Sequence, residues 1–319
     1  MDYRTETTVH VPGRDDIVAA SERIAPFVRR TPVLETEAGA FGIDLPLTLK
    51  LELLQVTGSF KPRGAFNRML TAEVGGAGVV AASGGNFGLA VGYAARELGH
   101  RAEIFVPSTS PEAKIDRVRA TGADLRVIEG LYDDASLAAR DRLAETGAVW
   151  MHPYDQLEVV AAQGTIGREL SQQAPDAETV LVAVGGGGLV GGIAAWYAGD
   201  ARVVAVEPAT SACLRAAFDA GHPVEIDVEG IAVDSLGPRR AGDIAFEIAR
   251  RHLDRVVTVS DDAIRDAQRA IWRELHLLAE PGGAATLAAL MTGAYRPSDA
   301  ERMVVLLCGA NGDPAPVVD

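Results

Sequence analysis

Short runs of apolar, often β-branched residues alternate along the chain with longer, alanine-rich stretches whose apolar residues recur at helical spacing. The short runs predict strands at 48–52, 78–82, 102–106, 125–128, 179–184, 203–206, 255–259 and 303–307. The longer stretches predict helices at 15–28, 63–70, 87–98, 112–120, 133–145, 157–172, 189–198, 242–252, 261–275 and 283–290. Strands that are apolar throughout and alternate with helices are typical of parallel sheets covered by helices on both faces. The pattern therefore predicts an α/β protein.

One stretch is long and uncharged enough to be compared with a membrane span. Residues 179–199 form 21 consecutive uncharged positions, a length that would cross a bilayer. Seven of these positions are glycine, and those at 185–188 are consecutive, so a spanning helix would be broken there. A buried strand, a glycine loop and a buried helix fit these residues better. We therefore expect a soluble protein.

Length, charge and cysteine content exclude several classes of partner. The 319 residues are enough for two domains, and 44 acidic against 30 basic side chains give a formal net charge of −14. Nucleic acids and anionic membranes bind to basic faces, so neither is an expected partner. Only Cys213 and Cys308 are present, and the amino-terminal sequence is polar without an apolar signal core. Both features favour a reducing, cytoplasmic location.

Three glycine-containing segments follow predicted strands and are candidate anion sites. They are SGGN at 83–86, GGGGL at 185–189 and, less distinctly, the turn at 309–312. A helix that begins after such a turn presents unpaired backbone N–H groups and about half a positive charge. A phosphate or a carboxylate is the ligand that this arrangement favours.

The second of these segments also fits a dinucleotide-binding pattern. Gly186, Gly188 and Gly191 match G-x-G-x-x-G after a strand, and Glu207 ends the next predicted strand, where a ribose-binding acid is expected. Taken alone, the segment supports a nicotinamide-dependent oxidoreductase. Four predicted strands precede the strand that leads into the motif, however, whereas the dinucleotide motif is expected on a first strand. It also leaves the other segments unexplained.

Lys61 lies in the segment SFKPRGA, between Phe60 and Pro62, where a helix is predicted to begin. A single lysine is usually a solvated surface charge. An amine held in apolar surroundings instead has a lowered pKa and becomes a nucleophile toward carbonyl groups. The segment alone favours the surface interpretation.

Six segments taken together reverse that interpretation, because they occur in a characteristic order and spacing. They are SFKPRGA, SGGNFGLA, HPYDQLEVVAAQGTIGREL, VAVGGGGLVGG, EPGGAA and LLCGAN. The chain resembles the fold type II pyridoxal-phosphate enzymes, and within them the threonine/serine dehydratase and serine racemase branch. The resemblance extends from about residue 17 to residue 312.

The resemblance implies a two-domain fold of the tryptophan synthase β type, with parallel sheets flanked by helices. A large cofactor-binding domain would comprise 1–52 and 153–319, with a small domain, 53–152, inserted in it. Pyridoxal 5'-phosphate would lie in the cleft between the domains, and the protein would be a homodimer. Because the chain ends soon after LLCGAN, we expect no carboxy-terminal regulatory domain of the kind found in biosynthetic threonine dehydratases.

The resemblance also implies roles for side chains around the cofactor ring. Lys61 would bond covalently to the cofactor and later move the substrate α-proton. Phe60 would lie against a face of the ring, and Asn86 would hydrogen-bond its phenolate oxygen. Cys308 would face the pyridine nitrogen, and its neutral thiol would favour elimination over transamination. Glu280 matches a family glutamate near the cofactor, without a defined role.

Two backbone segments are implied in binding anionic groups. The cofactor phosphate would be held by N–H groups of Gly185, Gly186, Gly187, Gly188 and Leu189. The substrate carboxylate would be held by the segment that contains Ser83, Gly84 and Asn86.

The chain departs from the family pattern at several positions. Gly84 stands where racemases carry a second serine, so an acid/base group for the opposite face of the substrate is missing. Phe87 replaces the histidine that usually follows the motif asparagine. The branch often binds a divalent cation through a glutamate and an aspartate six residues on. Glu207 matches the first, but Cys213 occupies the second position, and hard cations prefer oxygen. We therefore predict elimination without a metal site.

The implied reaction is α,β-elimination from a β-hydroxy amino acid such as L-threonine or L-serine, which yields a 2-oxo acid and ammonia. The sequence leaves open other β-substituted substrates, among them 3-hydroxyaspartate, a diamino acid or a specialised-metabolism intermediate. A nicotinamide oxidoreductase and a non-catalytic cofactor-binding protein also remain as alternatives.

Overall fold

The computed structural model describes residues 9–318; residues 1–8, part of the predicted large domain, and residue 319 lie outside the described part of the chain. The described strands are β1 (Val33–Thr36), β2 (Leu47–Lys50), β3 (Val79–Ala82), β4 (Ala102–Pro107), β5 (Asp124–Ile128), β6 (Val149–Met151), β7 (Thr179–Ala183), β8 (Arg202–Pro208), β9 (Leu253–Val259) and β10 (Met303–Leu306).

The described helices begin and end as follows: α1 (Arg14–Ile24), α2 (Lys61–Thr71), α3 (Asn86–Leu98), α4 (Glu112–Arg119), α5 (Tyr132–Thr146), α6 (Leu157–Gln173), α7 (Gly188–Tyr197), α8 (Cys213–Ala220), α9 (Val233–Leu236), α10 (Asp243–His252), α11 (Asp261–Leu275), α12 (Pro281–Met291) and α13 (Ala315–Val318). Short 3-10 turns occur at Ala40–Gly42, Glu52–Leu54 and Val56–Gly58.

The larger sheet has six strands in the order β1-β2-β10-β7-β8-β9. In this order, each pair of neighbouring strands from β2 through β10, β7 and β8 to β9 is parallel, as predicted. The edge strand β1 corrects that prediction, because it pairs antiparallel to β2 with Val33 opposite Lys50. The connection 37–46 between them is shorter than the dozen or more residues that a parallel crossover needs. The sheet is therefore mixed.

The smaller sheet has four strands in the order β5-β4-β3-β6, all parallel. Successive side chains of β3 pack into different apolar clusters: Val79 and Ala81 into one, Val80 and Ala82 into the other. This is the arrangement expected of a strand covered on both faces. The predicted α/β fold of helix-flanked sheets is confirmed.

The two sheets draw on different parts of the chain. All four strands of the smaller sheet lie within 53–152, and all strands of the larger sheet lie outside that range. The bounds proposed for the two domains stay a prediction.

Periodicity located most of the long helices within a few residues, but α8, α9 and α13 occur where no helix is predicted. The uncharged stretch at 179–199 forms β7, a glycine loop and α7. Among the residues that the structure describes, no helix combines the length and apolarity needed to cross a membrane.

Candidate active site

Two loops and the start of one helix converge on the short helix α9. A Cβ placed on Gly85, after β3, would lie 3.5 Å from a carbonyl oxygen of α9, and one on Gly185, after β7, would lie 3.2 Å from a Cα of α9. Gly282, at the start of α12, donates its N–H to a serine hydroxyl of α9 at 3.0 Å. Loops after parallel strands meet at one sheet edge, where ligands of α/β proteins bind. We therefore place the candidate site beside α9.

Lys61 is the first residue of α2 and is anchored to the end of β10. Ser59 forms an antiparallel bridge with Gly309, and the Phe60 N–H donates to the Cys308 carbonyl oxygen at 3.2 Å. These bonds bring the SFKPRGA and LLCGAN segments together, although they lie far apart in sequence.

The side chain of Lys61 is half-buried and points into apolar surroundings. Its Nζ lies 4.9 Å from the ring centroid of Phe60 and 5.7 Å from that of Phe87. It donates a hydrogen bond to the Pro153 carbonyl oxygen at 2.9 Å. Burial lowers the pKa of Lys61 to about 8, against a smaller opposing effect of nearby acidic groups. A substantial fraction of the amine is therefore neutral, and nucleophilic, near neutral pH.

A buried ion network fixes the amino end of α2. The Arg63 guanidinium lies 2.7 Å from a carboxylate oxygen of Glu52 and 2.7 Å from one of Glu169 on α6. Lys50 Nζ lies 2.6 Å from the other Glu169 oxygen. Buried charges are tolerated only when they are paired in this way. Because Arg63 lies two residues after Lys61, the network holds the start of the helix that carries the amine.

The glycine cradle, residues 185–189, has its first three carbonyl groups held by hydrogen bonds. In chain order they accept hydrogen bonds from Cys213 Sγ (3.2 Å), Gly242 N (3.0 Å) and Gly191 N (2.8 Å). A planar trans peptide points each carbonyl away from the following N–H. The N–H groups of 186–189 donate to no protein atom among the described residues. They form an unpaired set of donors at the amino end of α7, an arrangement that favours an anionic ligand.

Packing explains why this cradle is made of glycine. A Cβ on Gly186 would collide with the ring of Tyr154, and one on Gly188 would lie 2.7 Å from the Tyr154 carbonyl oxygen. Gly187 has φ +92°, which side chains rarely adopt, and a Cβ there would lie 2.6 Å from that of Ala245. Packing alone therefore explains why these residues are glycine. The evidence for a ligand is the set of unpaired N–H groups.

Asn86 begins α3 and joins two other polar side chains. Its Nδ2 donates to Glu280 Oε1 at 2.7 Å, and its Oδ1 accepts from Asn311 Nδ2 at 2.8 Å. Glu280 is 4% exposed, and burial raises its pKa despite the hydrogen bond from Asn86. A Cβ on Gly309 would collide with the Glu280 carboxylate. The Asn86 amide has a second N–H that remains available to a ligand oxygen.

Cys308 is buried at the end of β10, with its Sγ 3.4 Å from the Gly282 carbonyl oxygen. Burial raises the pKa of the Cys308 thiol, assisted by Glu280. The group is therefore a neutral thiol at physiological pH.

Ser83 and Gly84 form the turn between β3 and α3. Ser83 Oγ accepts the Gly85 N–H at 3.3 Å, and α3 presents the unpaired N–H groups of its first turn just beyond. A Cβ on Gly84 would collide with the hydroxyl of Ser110. The space that a side chain at 84 would fill is thus taken by the hydroxyl of Ser110, which the sequence did not reveal.

Glu207 and Cys213 are engaged with the protein. Glu207 is fully buried, and its two carboxylate oxygens accept the N–H groups of Leu214 and Arg215 at 2.8 Å each. Cys213 donates its thiol hydrogen to the Gly185 carbonyl. A buried carboxylate used in this way does not fit a ribose-binding acid, and a thiol beside it does not fit a hard cation. The nicotinamide alternative therefore lacks the ribose-binding acid that Glu207 was expected to supply.

These groups fit pyridoxal phosphate. The cofactor carries an aldehyde, a phenolate oxygen, a pyridine nitrogen and a phosphate, which call for an amine, a hydrogen-bond donor, a small polar partner and an anion site. Lys61, Asn86, Cys308 and the glycine cradle supply these four in turn. The individual roles stay predictions.

Comparisons with known proteins agree with this fit. The family model described as "Pyridoxal-phosphate dependent enzyme" matches residues 24–309. The chain is 36% identical over 287 residues to the biosynthetic L-threonine dehydratase of Escherichia coli, covering 88% of this chain and 56% of that protein. It is 33% identical to the phenylserine dehydratase of Ralstonia pickettii, covering 97% of this chain and 96% of that protein.

Among solved structures, maize serine racemase superposes with a TM-score of 0.91 at 32% identity. That superposition covers 96% of this chain and 95% of the racemase. By contrast, the chain spans little more than half of the Escherichia coli dehydratase, which is 56% covered.

Sequence reasoning missed several residues that complete the site. Pro153 accepts the hydrogen bond from Lys61, Tyr154 packs against the glycine cradle, and Asn311 binds Asn86. The helix α9 contacts the loops that contain Gly85 and Gly185. The HPYD and CGAN segments contained the first three, but only their contacts assign them a place. No periodic signal marks α9, which has four residues.

Proposed function

Because the chain belongs to the family of pyridoxal-phosphate dependent enzymes, we propose that it is an ammonia-lyase that acts on a β-hydroxy amino acid such as L-threonine or L-serine. The products are a 2-oxo acid and ammonia. The observation that carries the proposal is the pairing of a half-buried amine, Lys61, with an unpaired N–H cradle for phosphate. Dehydratases among the relatives support the lyase assignment.

When bound, the cofactor supplies a ring that can stabilise negative charge at the substrate α-carbon. Lys61 is then the base: its Nζ, with a pKa lowered to about 8 by burial, takes the proton from the α-carbon. The β-hydroxyl takes up a proton and leaves as water, and the α-proton that Lys61 has taken balances the one consumed. Addition of a later water molecule then releases ammonia and the 2-oxo acid. The apolar rings of Phe60 and Phe87 flank the amine and limit its solvation.

Two other groups orient the reactants. The unpaired N–H groups at the start of α3, beside Ser83, would bind the substrate carboxylate. Asn86 is held by Glu280 and Asn311, and its remaining N–H would donate to the phenolate oxygen of the cofactor. Cys308 is a neutral thiol, so it adds no negative charge that would stabilise the protonated form of the pyridine nitrogen.

Gly84 and Phe87 favour elimination over racemisation. Racemisation by two bases needs a proton donor on each face of the substrate, and Lys61 serves only one. Neither Gly84 nor Phe87 carries an exchangeable side-chain proton. The proposal therefore includes elimination from the L-isomer as the main reaction, although serine racemase is a structural neighbour.

The proposed setting is a homodimer in the cytoplasm. Two free, buried thiols, Cys213 and Cys308, are consistent with a reducing compartment. Analytical ultracentrifugation of the purified chain would test the dimer.

The test combines spectroscopy with a product assay. The purified protein should be coloured, should lose that absorbance on borohydride reduction, and should form 2-oxo acid and ammonia from L-threonine or L-serine. A panel of other β-substituted amino acids, including 3-hydroxyaspartate and a diamino acid, identifies the preferred substrate. Colour without turnover of any panel member would favour a non-catalytic cofactor-binding protein, and absence of colour after incubation with pyridoxal phosphate would contradict the proposal.

A further inference from the structure

Cys213 lies behind the glycine cradle, where neither the reaction nor the fold assigns it a role. It is the first residue of α8 and is fully buried. Its Sγ is 3.2 Å from the Gly185 carbonyl oxygen, which is well inside the range for a sulfur donor. The contact joins α8 to the first peptide of the cradle.

The planarity of that peptide transmits the contact to the other side of the loop. The Gly185 carbonyl and the Gly186 N–H belong to one trans peptide and point in opposite directions. A bond that holds the carbonyl toward α8 therefore holds the N–H on the opposite side of the peptide, away from α8. A glycine peptide left without such a bond would rotate more freely, because no Cβ restricts it.

The thiol is suited to act as a lasting donor. Burial raises the pKa of Cys213 to about 12, assisted by the nearby Glu207 carboxylate, so the sulfur keeps its proton at neutral pH. Glu207 accepts the N–H groups of Leu214 and Arg215 and thereby fixes the amino end of α8. The position of Cys213 relative to the cradle is thus set by β8, the strand that carries Glu207.

We propose that Cys213 is a positioning residue for the cofactor phosphate, since its thiol fixes the Gly185 carbonyl and so aims the Gly186 N–H at the phosphate. The inference rests on the proposed function only in that the cradle binds the phosphate of pyridoxal phosphate. It adds a residue that touches neither cofactor nor substrate.

The test compares pyridoxal phosphate with pyridoxal, which has the same aldehyde and ring but no phosphate. Dissociation constants of both compounds are measured for the full apo chain by absorbance titration. Cys213→Ala should weaken pyridoxal phosphate about threefold to tenfold, the effect of losing one hydrogen bond, with little change for pyridoxal. Cys213→Ser keeps a donor and should stay closer to the wild type. The phosphorus NMR resonance of bound pyridoxal phosphate should move in Cys213→Ala.

Thr121→Val is the matched control. The Thr121 hydroxyl is buried and donates to the Val118 carbonyl oxygen at 2.7 Å, outside the cradle. Its loss should alter thermal stability without changing the ratio of the two dissociation constants. An unchanged ratio in a folded Cys213→Ala protein would overturn the inference.

A measurement on the wild type covers the case in which Cys213→Ala fails to fold. The S–H stretching band of a hydrogen-bonded thiol lies at lower frequency than that of a free one, and loss of a band in Cys213→Ser assigns it to Cys213. A band at the free-thiol position would overturn the inference. If wild-type protein binds pyridoxal phosphate no more tightly than pyridoxal, the phosphate assignment of the cradle fails instead, and the two failures are distinguished.

Discussion

At the scale of single residues, the sequence identified Lys61 as a candidate only because its segment occurs in order with five other motifs. The structure adds the physical reason for its reactivity, because aromatic rings surround the amine and burial lowers its pKa to about 8. Asn86, Glu280 and Cys308 could likewise be named from motifs. Tyr154, Asn311 and Cys213 could not be assigned, since their places follow from contacts between distant segments.

The lowered pKa of Lys61 predicts the pH dependence of cofactor attachment. Only the neutral amine attacks the aldehyde, and its fraction rises about tenfold per pH unit below the pKa. The rate of pyridoxal phosphate attachment to apo protein should therefore rise with pH and level off above about 8. Stopped-flow absorbance across pH 6 to about 10 measures it. A rate that keeps rising toward the ordinary lysine value of 10.5 would show that burial does not tune this amine.

The collision at Gly84 predicts how a racemase-like variant must be built. Gly84→Ser alone would displace Ser110, whose hydroxyl occupies the space of the new Cβ. The double variant Gly84→Ser/Ser110→Gly makes room for the new side chain and moves the hydroxyl from residue 110 to the backbone position implied for racemases. One acid/base group that is positioned correctly contributes roughly 10²-fold or more. We expect racemisation of L-serine to rise relative to elimination, measured by α-deuterium exchange and chiral analysis.

Gly84→Ala/Ser110→Gly is the matched control, because it adds the Cβ without the hydroxyl. It should leave the ratio of racemisation to elimination at the wild-type value. Fast interconversion of L- and D-serine by the wild type would mean that another residue supplies the second proton.

At the scale of elements, periodicity predicted the longer helices and most of the strands, among them β5, which is largely exposed. The prediction for α11 has the observed bounds, Asp261–Leu275. The edge strand β1 and the short β6 escaped it because they are brief and only partly buried. The helix α9 escaped it because four residues cannot display a helical period. Yet α9 contacts the two loops after β3 and β7 and the start of α12, which together form the candidate site.

The glycine cradle gives a prediction at this scale. Gly187→Val forces a β-branched residue to φ +92° and against Ala245, which distorts the row of N–H donors. Affinity for pyridoxal phosphate should fall by about tenfold or more. Gly199→Val is the control, since Gly199 has φ +103° with nothing within 4 Å of a Cβ. Equal loss of affinity in both variants would indicate general strain instead of a local effect on the cradle.

The amino end of α8 predicts the response to divalent cations. The Glu207 oxygens are occupied by backbone N–H groups, and Cys213 offers sulfur where a hard cation prefers oxygen. Elimination rate and melting temperature should therefore be the same in EDTA and in excess magnesium. Activation by magnesium that is lost in Glu207→Gln would contradict this prediction.

At the scale of the whole molecule, an acidic chain with net charge −14 is proposed to bind an anionic cofactor and an anionic substrate group. The structure resolves the apparent conflict by using backbone N–H groups at the starts of α3 and α7. Long-range charge would repel these ligands, but short hydrogen bonds and helix termini act locally. The assignment of strands to two sheets could not come from periodicity, because both sheets show the same apolar pattern. It came from the resemblance.

The small number of lysines allows a direct test of whether Lys61 bonds covalently to the cofactor. The chain has three lysines among its 30 basic residues: Lys50, Lys61 and Lys114. Lys50 is fully buried in the ion network, and Lys114 pairs with Asp234 at 3.0 Å. Each amine is therefore held by a carboxylate, whereas the Lys61 amine has only the Pro153 carbonyl oxygen as its hydrogen-bond partner and lies beside the rings of Phe60 and Phe87.

The measurement is peptide mass spectrometry of the purified protein after borohydride reduction with pyridoxal phosphate bound. We predict a phosphopyridoxyl group on Lys61 alone. The variant Lys61→Ala should lose both this modification and the elimination activity. Lys114→Arg should retain both the modification and the activity. A modification found on Lys50 or Lys114 in place of Lys61 would contradict the account.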